Sequence, residues 1–351
     1  MEMTTLKVPK SDIYLTQQCK LCVEVYGEDG VMIDRIDKKI LYELEADSRQ
    51  SVSKIAKCVK QSKQVVNYRI EKMKEVQIIK AFSSIVDRQK IGLGCISMFV
   101  KLKGVSNESE EKMITQLSTL PLTGWVGKTI GRWDFLFTFL LRDVYDINIA
   151  FQTIMPCFGD SVFEHIILFD LREYRNVRKV IFDDIGKAYF CFTIGDNNRQ
   201  PIDEKDYELL RLLSNNSRIS VTECAKVLSL SDKTVKSKIE VLKKAKVIQG
   251  FKTELNYALL GYSFYICMFQ LGDLSTDSKK ELVSYLCKDK CVTTVIETPT
   301  DYINADIFVK NVQDLNSFIS SVKNKFKTLI VKCDVLAVSE IYKSDFFPTI
   351  L

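Results

Sequence analysis

Histidine is almost absent from this sequence of 351 residues: it occurs once, at His165. A Ser-His-Asp centre or a His-rich metal site therefore lacks the residues to build it. Proline and glycine are also few, with 6 and 14 residues, which excludes collagen-like and low-complexity chains. No apolar run reaches the ~20 residues that a membrane-spanning helix needs, and residues 1–10 lack the pattern of a secretory signal. We expect a folded cytoplasmic protein that contacts no membrane and holds no metal or cofactor.

Neither the spacing of the cysteines nor the balance of charged residues indicates a particular function. The 11 cysteines are scattered, and Cys19 with Cys22 forms a CxxC pair that no second pair follows at zinc-ribbon spacing. Lys and Arg number 50 against 45 Asp and Glu, and the resulting charge of +5 is too small to indicate a polyanionic partner by itself. Any basic signal must be local, and the chain is long enough for two to four domains.

The sequence repeats itself. Residues 34–82 align without a gap on residues 203–251, with about a third of the positions identical and most others keeping their polarity. The matched pairs include Arg49 with Arg218, which lie in the same short polar break of each copy. An ungapped repeat of this length predicts a tandem duplication.

Each copy has the pattern of three helices, a unit that we call a reader. In reader 1, apolar residues recur at helical spacing from residue 36, and a polar break at 47–49 ends the first helix. Ser51 is a suitable N-cap for a short second helix, and Ser62 for a longer third helix with basic and amide residues near its start. This arrangement is typical of a helix-turn-helix, whose second element enters the major groove of DNA.

The segment after each reader changes to short runs rich in aromatic and β-branched residues, which predict strands. With helical stretches between them, the order is βαββαβ, the ferredoxin-like plan, and we call these segments module 1 and module 2. In module 1 the strands are predicted near 96–102, 124–129, 135–141 and 162–169, and the helices near 110–120 and 144–154. In module 2 the strands are predicted at 264–271, 293–298, 303–310 and 330–338, and the helices at 278–286 and 315–326. The predicted domains are an N-terminal extension at 1–30, reader 1 at 31–83, module 1 at 84–172, a linker with a strand at 173–200, reader 2 at 201–252 and module 2 at 253–351.

Several short runs carry a family resemblance in both readers. They are Ile33-Asp34-Arg35-Ile36-Asp37-Lys38-Lys39-Ile40-Leu41, Asp47-Ser48-Arg49 and Ile78-Ile79 in the first, and Ile202-Asp203, Asn216-Ser217-Arg218 and Val247-Ile248-Gln249-Gly250-Phe251 in the second. These runs resemble the Lrp/AsnC family of leucine-responsive, feast/famine transcription regulators, in a tandem-duplicated form. The resemblance implies an α+β fold with two winged helix-turn-helix domains, each followed by a ferredoxin-like βαββαβ domain of RAM type. It also implies modules that pair as an internal pseudo-dimer, homo-oligomers, and an amino acid or similar small effector.

The predicted recognition helices present polar faces that suit double-stranded DNA. With Val66 and Ile70 buried, Gln64 and Tyr68 point the opposite way. Gln and Asn can hydrogen-bond adenine edges, whereas Lys and Arg contact guanine or phosphate. We predict DNA contacts from Ser62, Lys63, Gln64, Asn67, Tyr68, Arg69, Lys72 and Arg49 in reader 1, and from Ser231, Lys233, Thr234, Lys236, Ser237, Lys238 and Arg218 in reader 2. Reader 2, with more charge and less amide, favours phosphate contact. A charged face is also what any solvated helix presents, and the two arginines could instead cap the first helices.

A turn before the third strand of module 1 is the candidate effector site. The family's Gly-x-x-Asp turn corresponds to Gly131-Arg132-Trp133-Asp134, so the resemblance implies effector contacts from Gly131, Trp133 and Asp134. Glycine permits close backbone approach, and a carboxylate can pair with an α-ammonium group. The other interpretation is a tight hairpin with Trp133 in the core. Module 2 has Pro299-Thr300-Asp301-Tyr302 in this place, without the glycine, so we expect one site per chain.

Two alternatives of other classes remain. Siroheme decarboxylases resemble this family, also occur as fused pairs, and depend on His and Arg residues in their modules. This chain has one histidine, and Lys90-Ile91-Gly92-Leu93-Gly94 stands before the first strand of module 1, so we expect no catalytic residues and no enzymatic activity. The other alternative is an assembly scaffold whose readers mediate contacts between proteins rather than with DNA.

Overall fold

A computed structural model describes residues 33–177, 182, 190–196, 198–273, 275–345 and 347. The N-terminal extension with its CxxC pair, and much of the predicted linker, lie outside the described residues. The predicted α+β fold class is confirmed, with two readers and two ferredoxin-like modules. Within the described part of the chain, no helix combines the length and the apolar character needed to cross a bilayer.

The first half consists of reader 1, module 1 and two further strands. Reader 1 contains α1 Arg35–Ala46, α2 Val52–Val59, α3 Lys63–Glu75 and the strand β1 Ile79–Val86. Module 1 contains β2 Gly94–Leu102, α4 Asn107–Thr119, β3 Thr123–Ile130, β4 Phe135–Leu141, α5 Val144–Phe158 and β5 Val162–Phe169. The strands β6 Arg172–Val177 and β7 Phe190–Ile194 follow.

The second half has the same order of elements. Reader 2 contains α6 Glu204–Asn215, α7 Val221–Leu228, α8 Asp232–Lys244 and the strand β8 Ile248–Leu255. Module 2 contains β9 Ser263–Leu271, α9 Thr276–Lys288, β10 Val292–Glu297, β11 Tyr302–Val309, α10 Val312–Lys325 and β12 Ile330–Ser344.

The reader helices begin at side-chain caps. Asp34 accepts hydrogen bonds from the backbone N–H groups of Ile36 and Asp37, at 2.7 and 2.8 Å, and Asp203 caps α6 by accepting from the N–H of Asp206. Ser51 and Ser62 cap α2 and α3, and the equivalent serines cap α7 and α8. Each cap satisfies N–H groups that have no partner within the helix. The recognition helices α3 and α8 therefore begin at the same point in both halves.

A two-stranded antiparallel ribbon joins the two readers. Strand β1 pairs with β8 along its length, with Ser84 opposite Phe251. The backbone N–H of Ser48 also donates to the Phe251 carbonyl, and that of Ser217 to the Phe82 carbonyl, at 3.0 and 2.8 Å. These paired contacts relate the readers by an approximate twofold axis, because each is repeated with the halves exchanged.

The modules share one ten-stranded sheet, in the order β5-β2-β4-β3-β12-β9-β11-β10-β6-β7. Strand β12 pairs with β9 of its own module from Ile330 to Ala337, and then with β3 of module 1 as far as Ser344. In the first half, β5 pairs with β2, and β6 then pairs with β10 of module 2. The strand segment at the end of each module thus pairs with the edge strand of the other module, which makes the modules an internal pseudo-dimer.

In each module, one face of the sheet is turned away from the helices. The side chains on these two faces contact each other in an apolar cluster. Its buried members come from both modules: Phe99, Trp133, Leu136, Leu168, Ile266, Met268 and Leu336. Each module has a separate core between its sheet and its own two helices. Burying aromatic and aliphatic side chains from both halves stabilises the pairing of the modules.

A group of charged side chains lies where module 1 meets the strands β6 and β11. Glu173 on β6 contacts Arg88 Nη2 at 2.9 Å, and its other carboxylate oxygen contacts Arg175. The Asp170 carboxylate accepts a hydrogen bond from Ser97 Oγ at 3.1 Å. Burial raises the pKa of Asp170 and of Asp306 to about 7, whereas the two arginines hold the pKa of Glu173 below its usual value against the effect of its own burial.

The two raised carboxyl groups predict a stability that falls as pH rises. In the unfolded chain they ionise near 3.8, so between about pH 4 and about pH 7 the folded state binds more protons than the unfolded state. The double variant Asp170→Asn/Asp306→Asn should be more stable than the parent at about pH 8, by about 1–3 kcal/mol, and should lose this pH dependence. Urea denaturation at several pH values measures the free energy of unfolding, and Asp277→Asn, at an exposed position, is the control. Parallel profiles for parent and double variant would contradict the prediction.

Candidate nucleic-acid interface

The recognition helix α3 of reader 1 exposes the predicted contact face. Val66, Ile70 and Met73 are buried in the reader core. Ser62, Lys63, Gln64, Asn67, Tyr68 and Lys72 are exposed. Tyr68 is 64% exposed, and Lys72 Nζ lies 6.0 Å from the centre of its ring. An exposed aromatic beside amide and ammonium groups is chemically suited to base edges and phosphates.

The recognition helix α8 of reader 2 exposes a more charged face. Ser231, Lys233, Lys236 and Ser237 are exposed, and Thr234 is half-buried with its hydroxyl 2.8 Å from Ser231 Oγ. Asp232 stands at the first position of this helix, where its carboxylate accepts a hydrogen bond from Thr222. This acidic group lies at the end of the helix that would meet a phosphate, so the two readers differ in electrostatics as well as in amide content.

Arg69 and Lys238 have partners inside their own readers. Arg69 Nη1 lies 2.8 Å from carboxylate oxygens of both Asp34 and Asp37, at the start of α1. Lys238 makes the equivalent contacts with Asp203 and Asp206, at 2.7 and 2.9 Å. Both cations tie the recognition helix to the first helix, which gives them a positioning task within the reader; the DNA contact predicted for them stays a prediction.

Arg49 and Arg218 lie between the readers. Arg49 Nη1 donates to the carbonyls of Ser217 and Ile219, and Arg218 Nη1 donates to those of Ser48 and Gln50. Burial lowers the pKa of both guanidinium groups from the usual arginine value. The structure therefore places these two arginines in the contact between readers, and their predicted contact with DNA stays a prediction.

Sequence reasoning missed this reader–reader contact. The side chains of Ser48 and Ser217 meet at its centre, with their hydroxyl oxygens 2.6 Å apart. The signal was available in the repeat, because the Ser-Arg pair is identical in both copies. Residues that face each other across an approximate twofold axis are under the same steric demand, and this explains the identity.

The acidic group of the candidate effector turn is engaged within module 1. Asp134 accepts from Lys101 Nζ at 2.7 Å and from the backbone N–H of Leu102 at 2.8 Å. In module 2, Asp301 accepts from Gln270 at 2.9 Å, although its turn has no glycine. Both carboxylates thus hold a hairpin against the first strand of their module, which accounts for Asp134 without a ligand.

Gly131 and Trp133 also have structural explanations. A Cβ at Gly131, whose φ is +147°, would lie 2.7 Å from the Val335 carbonyl oxygen, so the close approach that requires glycine is made by strand β12. Trp133 is 2% exposed and contacts Phe99, with ring centres 6.3 Å apart. Arg132 stacks on Trp133 and reaches Asp334 of module 2 at 3.1 Å. The hairpin interpretation fits this turn better than the effector interpretation, because it lies in the contact between modules.

Comparison with known proteins finds the same domain in both halves. Residues 33–74 and 202–243 match the AsnC-type helix-turn-helix domain. An uncharacterized HTH-type transcriptional regulator of Pyrococcus abyssi is 33% identical over 151 residues, which are 41% of this chain and 97% of the relative. The HTH-type transcriptional regulator LrpA of the same organism is 27% identical over 143 residues, which are 40% of this chain and 99% of the relative.

Over most of its length, the fold is similar to that of an enzyme. The crystal structure of the siroheme decarboxylase NirDL matches 89% of this chain and 93% of its own chain, with a TM-score of 0.59 and 15% identity. The prediction that the chain is not an enzyme, which rests on its single histidine, is contradicted by this likeness, since the matched structure is that of an enzyme. At this identity the likeness shows a shared fold.

Proposed function

Because the chain belongs to the Lrp/AsnC family, in a tandem-duplicated form, we propose that it is a sequence-specific, DNA-binding transcription regulator. In this proposal the two readers of one chain replace the two subunits of a dimer. The observation that carries it is the pair of recognition helices, each with its polar face exposed, held about one approximate twofold axis by the β1–β8 ribbon. Relatives that this chain matches over nearly their full length bear the name of transcriptional regulators, which supports the same function.

We propose further that the preferred DNA site is asymmetric. Identical subunits read palindromes because their recognition helices are identical. Here Gln64 and Asn67 of α3 correspond to Lys233 and Lys236 of α8. Amide side chains can discriminate adenine, whereas lysines that contact phosphate carry no base preference. One half-site should therefore be read by bases and the other held mainly through the backbone.

Substitutions on the two helices should separate these roles. Gln64→Ala or Asn67→Ala should relax base preference in one half-site by about 1–3 kcal/mol if the contact is bidentate. The matched variants Lys233→Ala and Lys236→Ala should weaken binding to all sequences alike and reduce the salt slope by about 0.9 for each lost phosphate contact. Selection of bound fragments from random-sequence DNA, repeated with each variant, measures both effects. Perfectly palindromic selected sites, bound normally by both amide variants, would contradict the asymmetric site.

A second candidate function is a siroheme-decarboxylase-like activity. The fold match over 89% of the chain favours it, and the same enzyme has been crystallised with an iron-uroporphyrin III analogue. The single histidine of this chain, His165, is exposed on strand β5 and contacts Phe151, with ring centres 5.5 Å apart. An absorption spectrum recorded with siroheme tests this function, because coordination or burial of the tetrapyrrole shifts its bands. A spectrum identical to that of free siroheme would leave the regulator as the function to pursue.

A further inference from the structure

A cavity of about 360 Å³ lies between the two readers, at the edge of the face predicted to meet DNA bases. Its volume falls in the range of about 300–1,000 Å³ that small-molecule sites occupy. Helix α3 and strand β1 of reader 1 form one side, and the end of helix α6 with the residues after it forms the other. A molecule bound there would contact both readers at once.

The charged lining of this cavity is mainly basic. Lys74, Lys80 and Arg218 line it together with one carboxylate, that of Glu71, which pairs with Lys74 Nζ at 2.8 Å. The amides of Asn215 and Asn216 add hydrogen-bonding groups from reader 2. Each of these cations also has a partner within the protein, but cations outnumber acids in the lining. This excess favours an anion, because anionic groups form the strongest hydrogen bonds with ammonium and guanidinium donors.

The rest of the lining is apolar. Val52, Ile70 and Phe82 contribute apolar side chains to the lining, and the guanidinium of Arg218 lies 5.3 Å from the centre of the Phe82 ring. We propose that this inter-reader cavity is an effector site for a small organic anion, with the carboxylate or phosphate group at Lys74, Lys80 and Arg218 and a short apolar body against Phe82. No part of this site coincides with the turn at Gly131.

A ligand bound in the cavity would affect DNA binding through two residues. Asn67, a predicted base-contact residue, lines the cavity from α3. Arg218 lines it from reader 2 and holds the readers together through the Ser48 carbonyl at 2.6 Å. A ligand that contacts both residues changes the setting of one recognition helix relative to the other, and DNA must then change ligand affinity by the same factor. This regulatory role rests on the proposed DNA-binding function, whereas ligand binding itself does not.

The repeat provides a matched control for this site. Lys243 and Glu240 on α8 are the counterparts of Lys74 and Glu71, and their charged groups lie 3.1 Å apart. The counterpart of Ala81, which lines the cavity, is Gly250. A Cβ at Gly250 would lie 2.8 Å from the Phe192 ring, so an aromatic side chain covers the equivalent place in the second half. The same substitution can thus be made inside the cavity and at its filled counterpart.

Calorimetry on the full chain without DNA tests the site. The probes are inorganic phosphate and phosphoenolpyruvate for the phosphate class, citrate and 2-oxoglutarate for the carboxylate class, and glycerol as a neutral control. We expect saturable one-to-one binding of at least one organic anion, weakened about tenfold or more by Lys74→Met and unchanged by Lys243→Met. Thermal melting of both variants verifies that they are folded. Absence of binding by every anion, or equal loss in the two variants, would overturn the proposal.

The two proposals fail in different ways. If an anion binds but the chain has no affinity for duplex DNA, the effector site stands and the proposed regulator function is wrong. If duplex DNA binds and no anion does, the regulator function stands and the effector site is wrong. If both bind, an unchanged DNA affinity at saturating anion would show that the cavity does not regulate the readers.

Discussion

Replacing Glu173 by alanine is expected to lower the free energy of unfolding by about 3–5 kcal/mol, because it removes one partner of a buried ion pair. Glu173 is 5% exposed on β6, at the strand by which module 1 reaches the edge of module 2. Its carboxylate contacts Arg88, whose side chain is 11% exposed, at 2.9 Å and contacts Arg175 as well. Without the carboxylate, the Arg88 guanidinium stays in a poorly solvated environment and loses the acid that it contacts.

Two further variants isolate the cause. Glu173→Gln keeps the shape of the side chain and one acceptor oxygen, so its free energy of unfolding should lie between those of the parent and the alanine variant. Glu108→Ala removes an exposed pair with Lys112, also 2.9 Å long, and should cost at most about 1 kcal/mol. Urea denaturation followed by circular dichroism measures all three variants. If Glu173→Ala and Glu108→Ala lowered stability equally, the buried pair would not stabilise the contact between modules.

The readers and the order of elements in the modules could be predicted because local pattern determines them. Ser51 and Ser62 do cap the second and third helices, at 3.2 Å from the N–H groups of Lys54 and Val65. The strand predicted at 135–141 is found at Phe135–Leu141. Hydrophobic periodicity and capping act within a few residues, so the sequence alone contains this information.

The crossing of the last strands could not be predicted, because strand pairing is non-local. The periodicity predicts a strand at 330–338, whereas β12 continues to Ser344 by pairing with β3 of the other module. The long polar strand end has no apolar alternation of its own to indicate a partner. Only the register of the whole sheet places Val335 against Gly131, and this contact accounts for a glycine that the family resemblance had assigned to a ligand.

Only some of the contacts made by the candidate DNA-contact residues could be predicted, again because non-local contacts leave no local pattern. Position on a helix predicted which side chains face outward, and Gln64, Asn67, Lys233 and Lys236 do so. It could not show that Arg69 meets two aspartates that lie more than thirty residues earlier in the chain. The repeat did hold a clue, since Lys238 keeps the same charge opposite the same pair of acids.

Salt-titrated binding to duplex DNA tests the readers most directly. Each neutralised phosphate contributes a slope of about −0.9 in log K against log salt, so contacts from the four exposed lysines Lys63, Lys72, Lys233 and Lys236 would give about −3.6. Fluorescence anisotropy with a labelled random-sequence duplex should then show affinity falling about 150-fold between ~50 and ~200 mM salt. Affinity that does not change over this range, or no binding at its low end, would contradict a DNA-binding function for the two readers.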